Sequence, residues 1–240
     1  MLVLAHRGDY ADCPENTLEA FERAAARGAD GIETDVRLSR DGLPVLFHDR
    51  RAPDGREVAA LTAAELAAAA GYPVPSLDQA LTLFPDLLWN LEVKTPAAAG
   101  AALGLVERFR SSHRFLVSSF WHPLVLPFTR VAGVECALLL ASRPASFEAF
   151  AGLFPRDGSI WTAVWDFEML DPALLDQARA LGFRSFVYGA QTADEHRRVA
   201  ELGDQRDLGL AGLITDRLDL AGRSAPAGAA LPPGRPPSSS

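Results

Sequence analysis

The sequence predicts an α/β fold in which eight strand–helix units close into a (β/α)8 TIM barrel, with a short insertion after the second strand. Three observations predict it. Short apolar runs alternate with helix-patterned stretches along the whole chain, and such alternation implies parallel strands joined by helical crossovers. Eight strand candidates are each followed by a helix candidate. The length of 240 residues is close to the roughly 250 of a closed barrel. An open doubly wound sheet built from the same units is the alternative.

The elements follow in order. Leu2–Ala5 is a short apolar run and the first strand, and the helical pattern Asn16–Arg27 follows it. Gly31–Val36 is the second strand. Pro44–Asp49 is a further strand-like run that breaks the simple count, and the polar stretch Arg50–Arg56 carries Pro and Gly. An Ala-rich helix spans about Thr62–Ala70, and the second barrel helix begins near Ser76 and runs to Phe84. The insertion therefore covers about residues 49–75. Later strands are Leu88–Val93, Phe115–Ser118, Glu135–Leu140, Ile160–Val164, Ser185–Tyr188 and Gly212–Ile214. The matching helices are Ala97–Arg110, Pro123–Val131, Pro144–Phe154, Pro172–Leu181, Ala193–Leu202 and Asp216–Leu220. Residues 1–221 read as one domain. Residues 222–240 hold five prolines and end in three serines, a composition that predicts a disordered tail.

Composition narrows the function. Apolar residues make up 48 % of the chain, enough for a large core. The formal net charge of -8 argues against a nucleic-acid binder and against electrostatic docking on anionic membranes. Two cysteines, Cys13 and Cys136, do not make a disulfide framework and fit a reducing compartment. Leu2-Val3-Leu4-Ala5 is too short for the apolar region of a signal peptide, and no run is long enough to span a membrane. These features lead us to expect a soluble cytoplasmic protein.

The chemistry begins at Ile32-Glu33-Thr34-Asp35-Val36. Side chains alternate along a strand, so Glu33 and Asp35 share one face. In a barrel the other face meets the helices, and the two carboxylates point inward. Inward carboxylates about 7 Å apart repel and are costly to desolvate, so a bound cation is the simplest remedy. The bland alternatives are exposed acids on an edge strand, or acids paired with arginine. Asn90-Leu91-Glu92-Val93-Lys94 repeats the pattern on the next barrel strand, and Glu92 can complete a three-carboxylate cluster. Oxygen ligands suit a hard divalent cation, Mg²⁺ or Ca²⁺. Lys94, two residues further on, could meet a phosphate as a point charge or simply pair with Glu92.

Two histidines close strands at the rim where barrel active sites lie: His6 in Leu4-Ala5-His6-Arg7-Gly8, and His48 in Phe47-His48-Asp49. Their ordinary pKa near 6.5 suits proton exchange near neutrality. His113 precedes a strand and His196 falls on an apparent helix surface, so neither is expected to act; His122 follows a strand end and is left open. Arg7 could bind a phosphate oxygen, and Gly8 would let the backbone turn closely. In Pro14-Glu15-Asn16-Thr17, Asn16 or Thr17 can cap the first helix, while Glu15 is a site residue or a helix-dipole partner.

These pieces, in this order, resemble the glycerophosphodiester phosphodiesterase family. The likeness is dense in the first 50 residues: His6-Arg7-Gly8, Pro14-Glu15-Asn16-Thr17, Ala20-Phe21, Gly28 to Val36, Asp41-Gly42, Pro44-Val45 and His48-Asp49. It continues through Leu91-Glu92-Val93-Lys94, Ser118-Ser119-Phe120 and Gly212-Leu213-Ile214-Thr215-Asp216-Arg217. The resemblance implies a (β/α)8 barrel that uses one divalent cation to split glycerophosphodiesters into sn-glycerol 3-phosphate and an alcohol. It implies Glu33, Asp35 and Glu92 as metal ligands, His6 and His48 as the acid–base pair, and Arg7 and Lys94 as phosphate contacts. Glu15, Phe120, Trp165 and Tyr188 are further candidates for substrate contact, with barrel packing the other reading of the three aromatics. The sequence also departs from the family. The insertion after His48 is short, Tyr188-Gly189-Ala190-Gln191 stands where the family often has Trp-Thr-Val-Asn, and Trp121 stands where it often has Asp. A lysophospholipase D-type reaction on a lipid and a non-catalytic phosphodiester-binding barrel are the rival readings.

Overall fold

A computed structural model describes residues 1–155 and 158–223. Eight parallel strands close on themselves: β1 (Leu2–His6), β2 (Gly31–Leu38), β4 (Leu88–Val93), β5 (Arg114–Ser119), β6 (Glu135–Leu140), β7 (Ile160–Asp166), β8 (Arg184–Tyr188) and β9 (Leu210–Thr215). Pairing of β1 with both β2 and β9 completes the ring. The expected closed barrel is the observed one. β3 (Pro44–Leu46) runs antiparallel along the end of β2. There β2 has outrun β1: Glu33 O accepts from Arg7 N, and two residues on Asp35 O accepts from Phe47 N.

Capping chemistry sets the helix starts. Thr17, not Asn16, caps α1 (Leu18–Ala26), its side chain accepting from Ala20 N. Thr62 and Glu65 form a reciprocal capping box on α2 (Ala63–Ala70), and Ser76 and Gln79 do the same for α3 (Leu77–Leu83). Thr95 caps α4 (Pro96–Phe109) and Asp171 caps α6 (Pro172–Ala180), each with Pro at the helix start. Thr192 and Glu195 box α7 (Ala193–Asp204).

Three expected helices differ. The stretch Pro123–Val131 is instead a 3₁₀ segment, His122–Arg130, because Pro127 inside it cannot donate to an α-helical ladder. Pro144–Phe154 shrinks to α5 (Phe147–Ala151). Asp216–Leu220 is a turn closed by Arg223 N donating to Leu218 O. Of the expected tail, all but Gly222 and Arg223 lies outside the described residues.

Two apolar layers result from strand alternation. Val3, Ile32, Trp89, Val117, Leu138 and Trp165 belong to the layer between strands and helices. Leu4, Leu88, Leu116, Ala137, Val164, Phe186 and Ile214 fill the barrel interior below the mouth. Gly212 makes room for that filling, since a Cβ there would sit 2.1 Å from the Phe186 ring. The insertion folds over a small core of its own, with Val45, Phe47, Ala52, Val58, Leu61 and Leu66. Among the described residues, no helix is long and apolar enough to cross a membrane.

Candidate active site

The strand parity that puts Ile32, Val36, Leu91 and Val93 outside puts Glu33, Asp35 and Glu92 inside. One oxygen from each of these three lies within 4.8 Å of the others. All three are buried, at 4 %, 0 % and 8 % exposure, so their charges cannot be left to solvent. Lys94 Nζ lies 2.8 Å from Asp35 Oδ1 and 2.6 Å from Glu92 Oε1. Arg7 Nε lies 3.2 Å from Asp35 Oδ2, and Asn16 Nδ2 donates to the same oxygen at 2.8 Å. Both readings of Lys94 therefore remain compatible with its place: it pairs with carboxylates, and it sits at the mouth.

Compensation is uneven across the cluster. Burial pushes all three carboxyls up, but Lys94 and Arg7 more than offset it at Asp35, which stays below the usual carboxylate range. Glu92 remains raised by burial despite Lys94. Glu33 is pushed up to about 8 by burial and by the neighbouring Asp35 charge. Its Oε2 is buried without a hydrogen-bond partner. An all-oxygen donor set with an orphaned, repelled carboxylate fits a hard divalent cation.

His6 closes β1 beside this cluster, with Nε2 3.7 Å from Glu33 Oε2 and Nδ1 2.6 Å from Asp216 Oδ1. Burial lowers the His6 pKa, but the bond to Asp216 and the Glu33 charge outweigh it and raise it overall. The chain then turns through Arg7 and Gly8, both with positive φ. A Cβ on Gly8 would meet the Ala20 backbone at 2.7 Å, so only glycine lets this turn press on α1. Arg7 Nη1 donates to both Glu15 carboxylate oxygens, at 2.9 and 3.1 Å. Glu15 is thereby a partner of Arg7 rather than a helix-dipole decoration.

His48 follows β3 and pairs through Nδ1 with Asp49 Oδ1 at 2.9 Å. Arg37 fixes its backbone, Nε and Nη2 donating to His48 O at 2.9 and 2.6 Å. His48 lines a cleft of about 460 Å³ together with Glu15, Asn16, Asp49, Arg51 and Tyr72. Glu15 and Asn16 thus join this cleft to the carboxylate cluster.

The aromatic candidates separate. Phe120 and Tyr188 meet edge to face at 6.2 Å, and Tyr188 packs on the interior layer. Trp165 does not reach the mouth. Val164 points into the barrel, so Trp165 points out, wholly buried against Phe147, with Nε1 donating to Ser185 Oγ at 3.1 Å. His196 is also corrected: it is buried, not on a helix surface, and its Nε2 lies 2.8 Å from Thr215 Oγ1. His113 and His122 bond to the carbonyls of Leu81 and Leu139 within the packing. Sequence reasoning gave no role to Asp216 or Tyr10, and gave Asn16 only a place as a helix cap. Asp216 carried one signal, its place in the Gly212–Arg217 stretch that resembles the family's closing motif.

Known proteins resemble this chain in sequence and in fold. A model of the glycerophosphoryl diester phosphodiesterase family matches residues 6–220. A probable glycerophosphodiester phosphodiesterase 2 of Mycobacterium tuberculosis is 32 % identical across 91 % of this chain and 88 % of its own. A crystal structure of a glycerophosphodiester phosphodiesterase from Thermotoga maritima superposes with a TM-score of 0.77 at 27 % identity, over 92 % of this chain and 96 % of that one. A phosphodiesterase from Oleispira antarctica, solved with its product sn-glycerol-3-phosphate, shares the fold with a TM-score of 0.75 at 20 % identity, over 93 % and 96 %.

Proposed function

This chain belongs to the glycerophosphoryl diester phosphodiesterase family and hydrolyses glycerophosphodiesters; we propose that it does so with His6 and His48 as an acid–base pair beside a divalent cation held by Glu33, Asp35 and Glu92. The products are then sn-glycerol 3-phosphate, as in the Oleispira antarctica complex, and an alcohol. The observation that carries the reading is His6 Nε2 at 3.7 Å from Glu33 Oε2, in a buried cluster of three carboxylates where the Glu33 carboxyl stays raised despite His6 and Lys94.

A bound Mg²⁺ or Ca²⁺ would supply charge stabilisation at a phosphoryl oxygen. The chain's own residues do the rest. Arg7 and Lys94 face the cluster through Asp35 and are the proposed phosphate contacts. One histidine takes a proton from the attacking oxygen, of water or of the glycerol 2-hydroxyl, and the other returns one to the leaving alkoxide. Phe120 and Tyr188 form one wall for the glycerol. Cys13 and Cys136 are both free thiols, and a cytoplasmic setting belongs to this proposal.

The test is divalent-dependent release of glycerol 3-phosphate from glycerophosphocholine. His6→Ala and His48→Ala should each lower turnover by about 10²- to 10⁴-fold; near-normal rates in both would sink the pairing. One observation favours a lipid substrate as a second reading. An apolar groove of about 370 Å³, with Pro14, Leu18, Pro73, Val74 and Pro75, adjoins the cleft through Tyr72. Lysophosphatidylcholine cleaved faster than glycerophosphocholine would favour it.

A further inference from the structure

β9 does not keep a simple alternation. Leu210 packs into the outer layer and so does Leu213, while Ile214 packs inside. Counted from Leu210, Asp216 would face the helices. The register between β8 and β9 slips at this point, Ser185 pairing Leu210 but Phe186 pairing Gly212. That bulge inserts one residue and turns Ile214 and Asp216 to the inside, a device often found where a sheet aims a side chain at a site. Ala5 pairs Thr215 across the β1–β9 seam, which sets Asp216 beside His6.

The hydrogen bonds there admit one assignment. Asp216 Oδ1 lies 2.6 Å from His6 Nδ1 and accepts from the Tyr10 hydroxyl at 2.7 Å. An ionised carboxylate only accepts, so Nδ1 carries the hydrogen. Nε2 is left towards Glu33, 3.7 Å away. The turn behind Asp216 is braced. Thr215 Oγ1 accepts from Arg217 N at 2.9 Å and lies 2.8 Å from the buried His196 Nε2. His196 Nδ1 must donate to Thr192 O at 2.8 Å, because a carbonyl cannot. In the neutral imidazole Nε2 then accepts, and the Thr215 hydroxyl donates to it.

We infer that Asp216 is a positioning residue: with Tyr10 it holds His6 in the Nδ1-protonated tautomer, so that Nε2 is the atom that exchanges a proton. The inference rests on the acid–base role proposed for His6. An imidazole so held neither rotates nor changes tautomer between turnovers, and only its outward nitrogen reaches the reacting atoms.

The experiment uses the full chain with saturating divalent cation, and Asp216→Ala, Asp216→Asn and Tyr10→Phe variants. Asp216→Ala should lower kcat by about 10- to 100-fold with KM on glycerophosphocholine within about two-fold. Asp216→Asn, which keeps an acceptor oxygen but not the charge, should fall between. In ¹⁵N-histidine-labelled protein, the His6 signals, identified by their loss in His6→Gln, should report Nδ1–H in the wild type and a mixture of tautomers in Asp216→Ala. Divalent binding by calorimetry should be unchanged. The inference is overturned if Asp216→Ala retains both kcat and the Nδ1–H signal while His6→Ala is inactive. An active His6→Ala instead overturns the acid–base reading. Were Asp216→Ala unable to fold, the Asn and Tyr10→Phe variants carry the same two readouts.

Discussion

Asn16 donates its side-chain amide to Asp35 at 2.8 Å from a backbone held at a positive φ of 56°. One residue thus does two jobs at the head of α1. It accepts from the Thr34 hydroxyl at 2.6 Å, and it pins a carboxylate of the cluster. Asn tolerates this left-handed conformation better than most residues. Asn16→Ala should cost about 2–4 kcal/mol, from a lost bond to a charged acceptor plus a strained backbone. Asn16→Gly removes the bond but not the allowed conformation, so it should cost less. Denaturant unfolding of both variants checks the order, and equal losses would refute the backbone part.

Glu33 and Lys94 should respond to divalent cation in opposite ways. With chelator present at neutral pH, Glu33→Gln removes the cost of burying a carboxyl pushed up to about 8, which must take up a proton on folding, and should raise the melting temperature relative to the wild type. Its further rise on adding Mg²⁺ or Ca²⁺ should be lost. Lys94→Met uncovers Asp35 and Glu92 and should destabilise the chelated protein by about 3–5 kcal/mol. Added cation should then recover more stability than it does in the wild type. Thermal melts with and without chelator decide both.

Arg37 touches no reacting atom, but it holds the His48 carbonyl with two donors. Arg37→Ala should loosen the loop that carries His48 and lower kcat by about 10- to 100-fold, a size typical of catalytic groups displaced by about 1 Å. Arg37→Lys keeps one donor and should recover part of it. Steady-state kinetics on glycerophosphocholine test the pair.

Trp165 and Tyr188 should behave as different kinds of residue. Trp165→Ala empties a wholly buried site and should cost about 3–5 kcal/mol, with kcat per folded molecule retained. Tyr188→Ala should chiefly raise KM, because Tyr188 ends β8 on its interior face and meets the exposed Phe120 edge to face. A rise in KM for Trp165→Ala without loss of stability would return it to the pocket.

Most of the barrel was legible because burial and alternation are local in sequence. Glu33, Asp35 and Glu92 could be placed on inner faces from their apolar neighbours alone, since strand parity is a covalent fact. Cap residues such as Thr62 and Ser76 announced helix starts for the same reason. Pro127 carried its own correction.

Other features were settled only by packing. His196 reads as an exposed helix residue until α7 is laid on β9, where Thr215 takes its Nε2. Whether Lys94 pairs with one carboxylate or two depends on how β2 and β4 lie side by side. Asp216 shows the limit most clearly. The residue is plain in the sequence, but its face is not. The bulge that turns it inward exists only because β8 and β9 pair out of step around Phe186 and Gly212. Sequence by itself determined which residues could do chemistry and which face of a strand they share. The tertiary structure decided which of them meet across 210 positions of chain, as His6 and Asp216 do, because that contact is made by closing the barrel.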